Sequence, residues 1–444
     1  MRDYALLLFT MGAIPYALFH PIYGVYLWTW LSVMNPHRLT WDIAYNLPFA
    51  MFTALATITG LLLTKEPRRW PVAPPTIALG LFLVWMTLGY PFSFFPGESY
   101  DMWNRVMKIQ LMTFVAAALI AEREHVKRLV WVLVISLGFY GVKGGLFTIR
   151  TGGAHKVWGP DGTFIEGNNE IALAIIIIIP LMWYLFEVTR TRWIRLGLVA
   201  AMALSAIAAI GSYSRGAFVA MAAMCLSIWW YSKRKAVLGL ALFAFVPVAL
   251  AIMPSIWEQR MATISNYEED GSAMGRINAW RMAWNLALDN PLFGGGFGIY
   301  NPATFGQYAP IPTDIHAAHS IYFQVLGEHG FVGFFLYMIM WWLTWRTAVW
   351  IRKNTKAQGD NAWAYHFAAM SQVSLLGFFV GGAFLSLAYF DLPYYIMVLL
   401  VATKWILERE RKASRNAVSP GTASTASAAG NVVGAGPRTP VHGA

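Results

Sequence analysis

Apolar residues along this chain come in blocks of about twenty, the length that a hydrocarbon layer about 30 Å thick demands of a helix. Such blocks lie near 46–64, 75–95, 106–121, 129–149, 169–188, 195–211, 213–231, 236–253, 327–351, 365–387 and 391–407, and each predicts a membrane-spanning helix. Ahead of them, 4–34 is too long for one straight span and is interrupted by Pro15 and Pro21. It reads as one broken helix or as a hairpin of two short ones. The only long hydrophilic stretch is 254–318. Within it Ile277, Trp280, Trp284 and Leu288 recur at helical spacing, which predicts an amphipathic helix on the membrane surface, stopping at Asp289-Asn290-Pro291.

The polar interruptions orient these elements. Basic clusters at Lys65/Arg68/Arg69, Arg123/Lys127/Arg128, Arg190/Arg192/Arg195, Lys233/Arg234/Lys235, Arg352/Lys353/Lys356 and Lys404 to Arg415 all fall on one side if each block crosses once. The positive-inside rule makes that side cytoplasmic. With 4–34 counted as one crossing, the expectation is an all-α polytopic membrane protein of about twelve transmembrane helices, both termini cytoplasmic. Residues 1–415 then form one membrane domain, 254–318 its large periplasmic loop, and 416–444 a cytoplasmic tail whose Gly/Ala/Ser/Thr/Pro-rich composition predicts disorder.

Composition agrees with this class. Of 444 residues 57% are hydrophobic and 12% charged, with mean hydropathy +0.49, where a soluble domain carries about a quarter charged. The net charge of +11 is a topology signal, so no nucleic-acid partner is expected. The single cysteine, Cys225, lies in an apolar run and excludes disulfides and thiolate metal sites. The N-terminus has no basic region followed by a small-residue cleavage site, so no cleaved signal peptide is expected.

Basic residues on the external side run against the topology bias, and candidate chemistry gathers around them: Arg38, Arg105, Lys108, Arg150, Lys156, Arg215, Arg260, Arg276 and Arg281, with Lys143 inside a span near that face. In "GSYSRGAF" (211–218), Arg215 stands at the membrane edge among small and hydroxyl residues. Its guanidinium suits a bidentate grip on phosphate, or snorkelling to lipid headgroups. Arg276 shares a helix face with Trp280, while Arg281 is turned away by about 100°. The glycines at 294, 295, 296 and 298 form a turn, but no Gly-Lys-Ser/Thr follows and no soluble strand precedes, which argues against a phosphate loop. His316 and His319 stand where the loop enters an apolar helix, with Tyr322 one turn on, and histidine exchanges protons near neutral pH. A metal site from His316, His319 and Asp314 is a weak pattern and none is expected. Asp161, Glu166, Glu170 and Asp391 are alternative bases or loop and helix-end charges.

The ordered set "GSYSRGAF", "GRINAWRMAWNLALDNPLFGGGFGIY" and "HSIYFQVLGEHGFVGF" resembles the O-antigen ligase and O-antigen polymerase superfamily. "GPDGTFIEGNNEIALA" (159–174) resembles its upstream element, which contains Asn169 here, and the whole is similar to the exosortase-associated O-glycosylation ligases. Two departures are Ser320, where many relatives have Asn, and His329 after Glu328. The resemblance implies a C-type, inverting glycosyltransferase of the inner membrane. Its donor is an undecaprenyl-diphosphate-linked glycan, moved en bloc at the periplasmic face onto lipid A core oligosaccharide, without metal, cofactor or nucleotide sugar. It also implies that Arg215 and Arg276 match the family's essential arginines and His319 its essential histidine. Lys143 is a further candidate for donor phosphate, and Tyr322, Arg281, His316, Asn169 and Asp391 are secondary candidates. The partners expected are the donor, the acceptor and membrane lipids, with the chain acting as a monomer. A polymerase or a protein O-glycosylation ligase would share the donor. A lipid-linked oligosaccharide flippase would instead line the membrane midplane with its ionisable groups.

Overall fold

The run from Ile171 to Leu181 is apolar on every face, and a helix with that pattern is stable only when surrounded. The computed structural model describes residues 2–231 and 271–418, with isolated positions between them. The predicted span 236–253, the Lys233–Lys235 cluster, Arg260, the first part of the external loop and the tail beyond 418 fall outside the continuously described residues.

The described residues form helices and no strand: α1 Arg2–Phe19, α2 Pro21–Val33, α3 Phe49–Leu63, α4 Pro74–Gly89, α5 Pro96–Leu119, α6 Arg123–Arg150, α7 Asn168–Val188, α8 Arg192–Ile210, α9 Arg215–Tyr231, α10 Gly271–Asp289, α11 Pro302–Tyr308, α12 Ile321–Asn354, α13 Ala362–Gly382 and α14 Asp391–Val418. As its pattern demands, α7 is enclosed by α6, α8, α9 and α13, and Ile171 to Ile178 are fully buried. Met1–Lys404 is one compact unit and Trp405–Ala444 another. Of the second only 405–418 is described, where Arg409 lies 4.8 Å over the Trp405 ring.

The all-helical membrane class holds, and among the described residues five helices are long and apolar enough to cross a bilayer: α4 with its extension to Phe92, α6, α7, α8 and α12. α3 and α9 are apolar but short. α13 is diluted by His366, Ser371, Gln372 and Ser374, and α5 carries Glu98, Asp101, Arg105 and Lys108.

The stretch 4–34 is a hairpin. Phe9 meets Trp30 at 5.4 Å and Tyr16 meets Tyr23 at 5.1 Å between ring centroids, so α1 and α2 run antiparallel about a break at His20. Asp3 accepts from the backbone N–H of Asp42 at 3.1 Å, which sets the chain start beside the loop that follows α2. Both ends of the hairpin therefore lie at one level. Of the two readings of 4–34, the hairpin is the one the structure takes.

The hairpin tip lies at the opposite end, and there the basic clusters meet. His20 Nδ1 approaches Glu66 at 3.5 Å and Arg128 donates to the Tyr23 hydroxyl at 3.2 Å. The Arg69 N–H donates to Ala118 O at 2.9 Å, and Arg123 lies 5.2 Å over Trp363. Arg352 donates to Gln372 at 2.8 Å, and Lys404 stands 5.0 Å from the Trp350 ring centroid. Clusters far apart in sequence thus share one end of the bundle.

One backbone crossing fixes the other end. Gly330 adopts φ 66°, ψ −171° inside α12 and breaks its ladder. The carbonyls of Gly327 and Glu328 accept instead from the N–H groups of Gly295 and Gly296, at 2.9 and 3.0 Å. Phe331 N–H donates to Pro291 O at 2.8 Å. Backbones this close leave no room for side chains: a Cβ on Gly294 would stand 2.4 Å from Gly327 O, and one on Gly330 2.6 Å from the carbonyls of Leu292 and Pro291.

Gly330→Ala is therefore expected to cost about 2 kcal/mol or more from the left-handed backbone and the clash together. Gly306→Ala, in α11 with nothing within 4 Å of the added Cβ, should be neutral or slightly stabilising. Thermal unfolding of the two variants in detergent checks this, and equal midpoints would show that the crossing bears no strain.

Candidate active site

The site begins at the turn between α8 and α9. Ser212 Oγ donates to Ala209 O at 2.6 Å, closing the end of α8, and accepts from Ser214 N–H at 3.2 Å. Ser214 Oγ accepts from Ala217 N–H at 3.2 Å, so Ser214 caps α9. Tyr213 is forced to φ 63° between them, with its hydroxyl donating to Gly153 O at 2.6 Å. Asn168, at the start of α7, donates to Ser212 O at 2.7 Å. This lattice leaves Arg215 as the first residue of α9, half-buried, where the positive end of the helix adds to its own charge.

Arg215 lines a narrow cleft with Asn169, Tyr213, Ser214, Phe384, Leu385 and Arg276. Arg276 arrives on α10, whose buried face is Gly275, Asn278, Ala279, Met282, Ala283, Leu286 and Ala287. The stripe predicted from Ile277, Trp280, Trp284 and Leu288 is helical, but Trp284 and Leu288 are exposed. Small residues, with Met282 and Leu286 among them, face the protein where α10 packs on α12, and Trp284 and Leu288 face outward. Asn278 bonds both ways with the loop ahead of α12, donating to Ile311 O and Asp314 O at 2.8 and 2.9 Å and accepting from Ile311 N–H at 3.0 Å. Trp280 Nε1 donates to Ala318 O at 2.6 Å, and its ring stacks on Phe323 at 5.2 Å. Residues 311–323 are thereby tied along α10.

That tie sets His319 beside the cleft. Its φ of 41° is a left-handed conformation in which His is enriched among non-glycine residues. Nδ1 stands 3.9 Å from Glu170 Oε1, one residue from Asn169 on α7. Burial first, and then the charges of Arg276 and His316, push its pKa down to about 4, so the imidazole is neutral at pH 7. His316 has another part: Nε2 is 2.9 Å from Asp314 Oδ1, and its ring lies where a side chain on Gly275 would be. Among the described residues no three His, Cys, Asp or Glu side chains gather as a metal site.

The other candidates lie apart. Lys143 is on an exposed face of α6, 6.0 Å from the Phe139 ring centroid, and is not among the residues lining the cleft. Arg281 is exposed on the far side of α10 from the buried face. Tyr322 donates its hydroxyl to Phe379 O at 3.0 Å. Asp391 is buried at the start of α14 and accepts from Ser32, in a different cavity.

Sequence reasoning missed a buried cluster behind the cleft. Tyr389 donates to Glu328 Oε2 at 2.5 Å, and its hydroxyl lies 2.8 Å from His329 Nε2. The His329 ring is boxed edge-on by Phe82 and Phe297, at 5.7 and 4.9 Å. Gln324 accepts from Ala388 N–H at 3.4 Å. These contacts hold the segment 384–391, which lines the cleft with Phe384 and Leu385, against α12 on the cleft side of its break. The signal was the pair Glu328-His329 next to Gly330. Its partner Tyr389 is about sixty residues away, beyond any local pattern.

Residues 200–338 match the O-antigen ligase family, and residues 1–190 match a family of unknown function (DUF5935). A search of curated proteins finds no match. The first match contains Arg215, Arg276 and His319, and the second Asn169 and Glu170, so the cleft is assembled from both. With its two cleft arginines and its histidine inside the matched region, the stretch 200–338 is the part of this chain that matches the O-antigen ligase family.

Proposed function

We propose that this chain transfers a glycan en bloc from undecaprenyl diphosphate to lipid A core oligosaccharide at the periplasmic face of the inner membrane, with inversion and without a metal. The observation that carries this reading is the convergence of Arg215 and Arg276, from separate helices, on one cleft beside a neutral histidine. The acceptor hydroxyl attacks the anomeric carbon as the bond from that carbon to the diphosphate oxygen breaks. The diphosphate leaves with the bonding pair, and the two guanidiniums, held in place before reaction, take up its developing charge. His319, neutral in the resting site, accepts the hydroxyl proton on Nε2. Glu170, facing Nδ1, stabilises the imidazolium that results. An O-antigen polymerase or a protein O-glycosylation ligase would use the same groups and differ in acceptor. Incubating the purified protein with undecaprenyl-diphosphate glycan and lipid A core, with product followed by gel and mass spectrometry, tests the reading. No conjugate under conditions where the donor binds would overturn it.

Arg215→Lys keeps the charge but loses the bidentate fork, so transfer should fall severely, by about a hundredfold or more if the fork acts as a transition-state donor. Arg276→Ala should be as severe and Arg281→Ala mild, since only the first lines the cleft. Rates at matched membrane abundance decide it, and comparable losses for Arg276 and Arg281 would remove the cleft from the mechanism.

His319→Ala should lose about a hundred- to ten-thousand-fold in transfer while the donor still binds. His316→Ala, which only loosens the contact with Asp314 and Gly275, should cost far less. Single-turnover rates with a donor-binding assay separate the two, and the reverse order would exchange their roles.

The pH profile follows from His319. Because its pKa in the free protein is about 4, kcat/KM should stay level from pH 8 down to about pH 5 and fall only below that. A bound diphosphate offsets the charge of Arg276 and favours the imidazolium, so the acid limb of kcat should lie at higher pH. An acid limb in kcat/KM at or above the ordinary histidine value, about 6.5, would show that another group is the base.

A further inference from the structure

A second cavity of about 500 Å³ lies between α3 and α5. Both helices pack on α2 but not closely on each other. The gap between them is floored by Trp28, Leu31 and Ser32 of α2 and walled by Met51, Ala54 and Leu55 of α3 and by Leu111 of α5. Met51, Leu55 and Leu111 are about half exposed, at 47%, 56% and 52%, which for apolar side chains marks a face turned to lipid. One end of the groove is polar. Asp101, Arg105 and Lys108 succeed one another on one face of α5, with Asn104 between them and Asp391 deeper, bonded to Ser32. Arg105 is positioned by donating to Gly162 O at 3.0 Å and by lying 5.1 Å over the Phe164 ring.

The charges at that end decide the ligand. A cationic pair alone would suit any anionic headgroup, but here Asp101 stands one turn ahead of Arg105 on the same exposed face of α5, with Asp391 deeper against Ser32. The rim carries both signs, ordered along one helix face, and its complement is a headgroup that also carries both. We propose that the groove binds a zwitterionic phospholipid, its phosphate beside Arg105 and Lys108, its ammonium beside Asp101, and one chain along the apolar walls. The volume lies within the usual range for ligand sites, about 300–1,000 Å³. The bound lipid also acts on the cleft. Gly162 to Ile165 line the groove, and the same connection leads directly to Asn169 and Glu170. An occupied groove therefore braces the segment that faces Arg215 and His319. This inference does not depend on the transfer reaction or its acceptor.

The full-length protein, delipidated in mild detergent, would be offered equal amounts of phosphatidylethanolamine and phosphatidylglycerol with identical chains, and retained lipid counted by native mass spectrometry. The wild type should retain one phosphatidylethanolamine in preference, by about two- to fivefold, the value of one exposed ion pair. Asp101→Asn should abolish that preference while a lipid is still retained. Ala54→Trp, which fills the groove, should lose the lipid, whereas Leu62→Trp on the exposed end of α3 should not, with thermal unfolding confirming that each variant is folded. Equal retention of both headgroups by the wild type would overturn the proposal without recourse to any variant. So would a preference that Asp101→Asn leaves intact, or Ala54→Trp acting no more strongly than Leu62→Trp.

Discussion

Everything at the site end of the bundle hangs on a crossing of two backbones. α12 breaks at Gly330, and the amide groups of Gly295 and Gly296 take over the carbonyls of Gly327 and Glu328 that the break releases. Buried backbone groups must be paired, so the break and the glycine turn exist only together. The crossing anchors the C-terminal end of α10 to α12, and α10 in turn carries Arg276 and, through Asn278 and Trp280, the loop that ends in His319. It also accounts for the glycine run chemically. Gly295 and Gly296 spend their N–H groups on carbonyls of the same chain, which leaves those groups to no phosphate.

On this scaffold the cleft concentrates positive charge without burying it completely. Arg215 and Arg276 are each half-buried, close enough to water to remain charged and dry enough for an anion to feel them strongly. Burial, and after it the charges of Arg276 and His316, keeps His319 neutral. In the reaction proposed, the arginines receive the leaving group, while the burial of the site holds the base in the form that can accept a proton. The Glu328–His329–Tyr389 cluster lies behind them, and its hydrogen bonds serve position: it clamps the segment 384–391 that closes one wall of the cleft.

The exposed apolar surface of the molecule follows a different logic. α10 turns Gly275, Ala279, Ala283 and Ala287 inward together with Met282 and Leu286, and leaves Trp284 and Leu288 exposed. In a membrane, small residues allow close packing and large apolar ones lose nothing by facing lipid. The turn at 162–165 joins the groove between α3 and α5 to the segment that leads to the cleft.

Helical class, membrane placement and the one-sided basic clusters were legible in the chain because they rest on local hydropathy and charge, which need no partner to be read. The three motifs naming Arg215, Arg276 and His319 were legible as an ordered resemblance. The hairpin of 4–34 was open between two readings, because Pro15 and Pro21 mark interruptions without giving the angle between the pieces; ring contacts such as Phe9 with Trp30 decide it. Lys143, Arg281, Tyr322 and Asp391 stood as further or secondary candidates on the same side of the membrane as the cleft residues. What separates them is the direction in which each side chain leaves its helix and the partner it meets there, a carbonyl for Tyr322 and a serine for Asp391. Convergence is a property of helices brought together from distant parts of the chain, and so only the tertiary structure could set Arg215, Arg276 and Asn169 around one cleft, with Glu170 and His319 at its side.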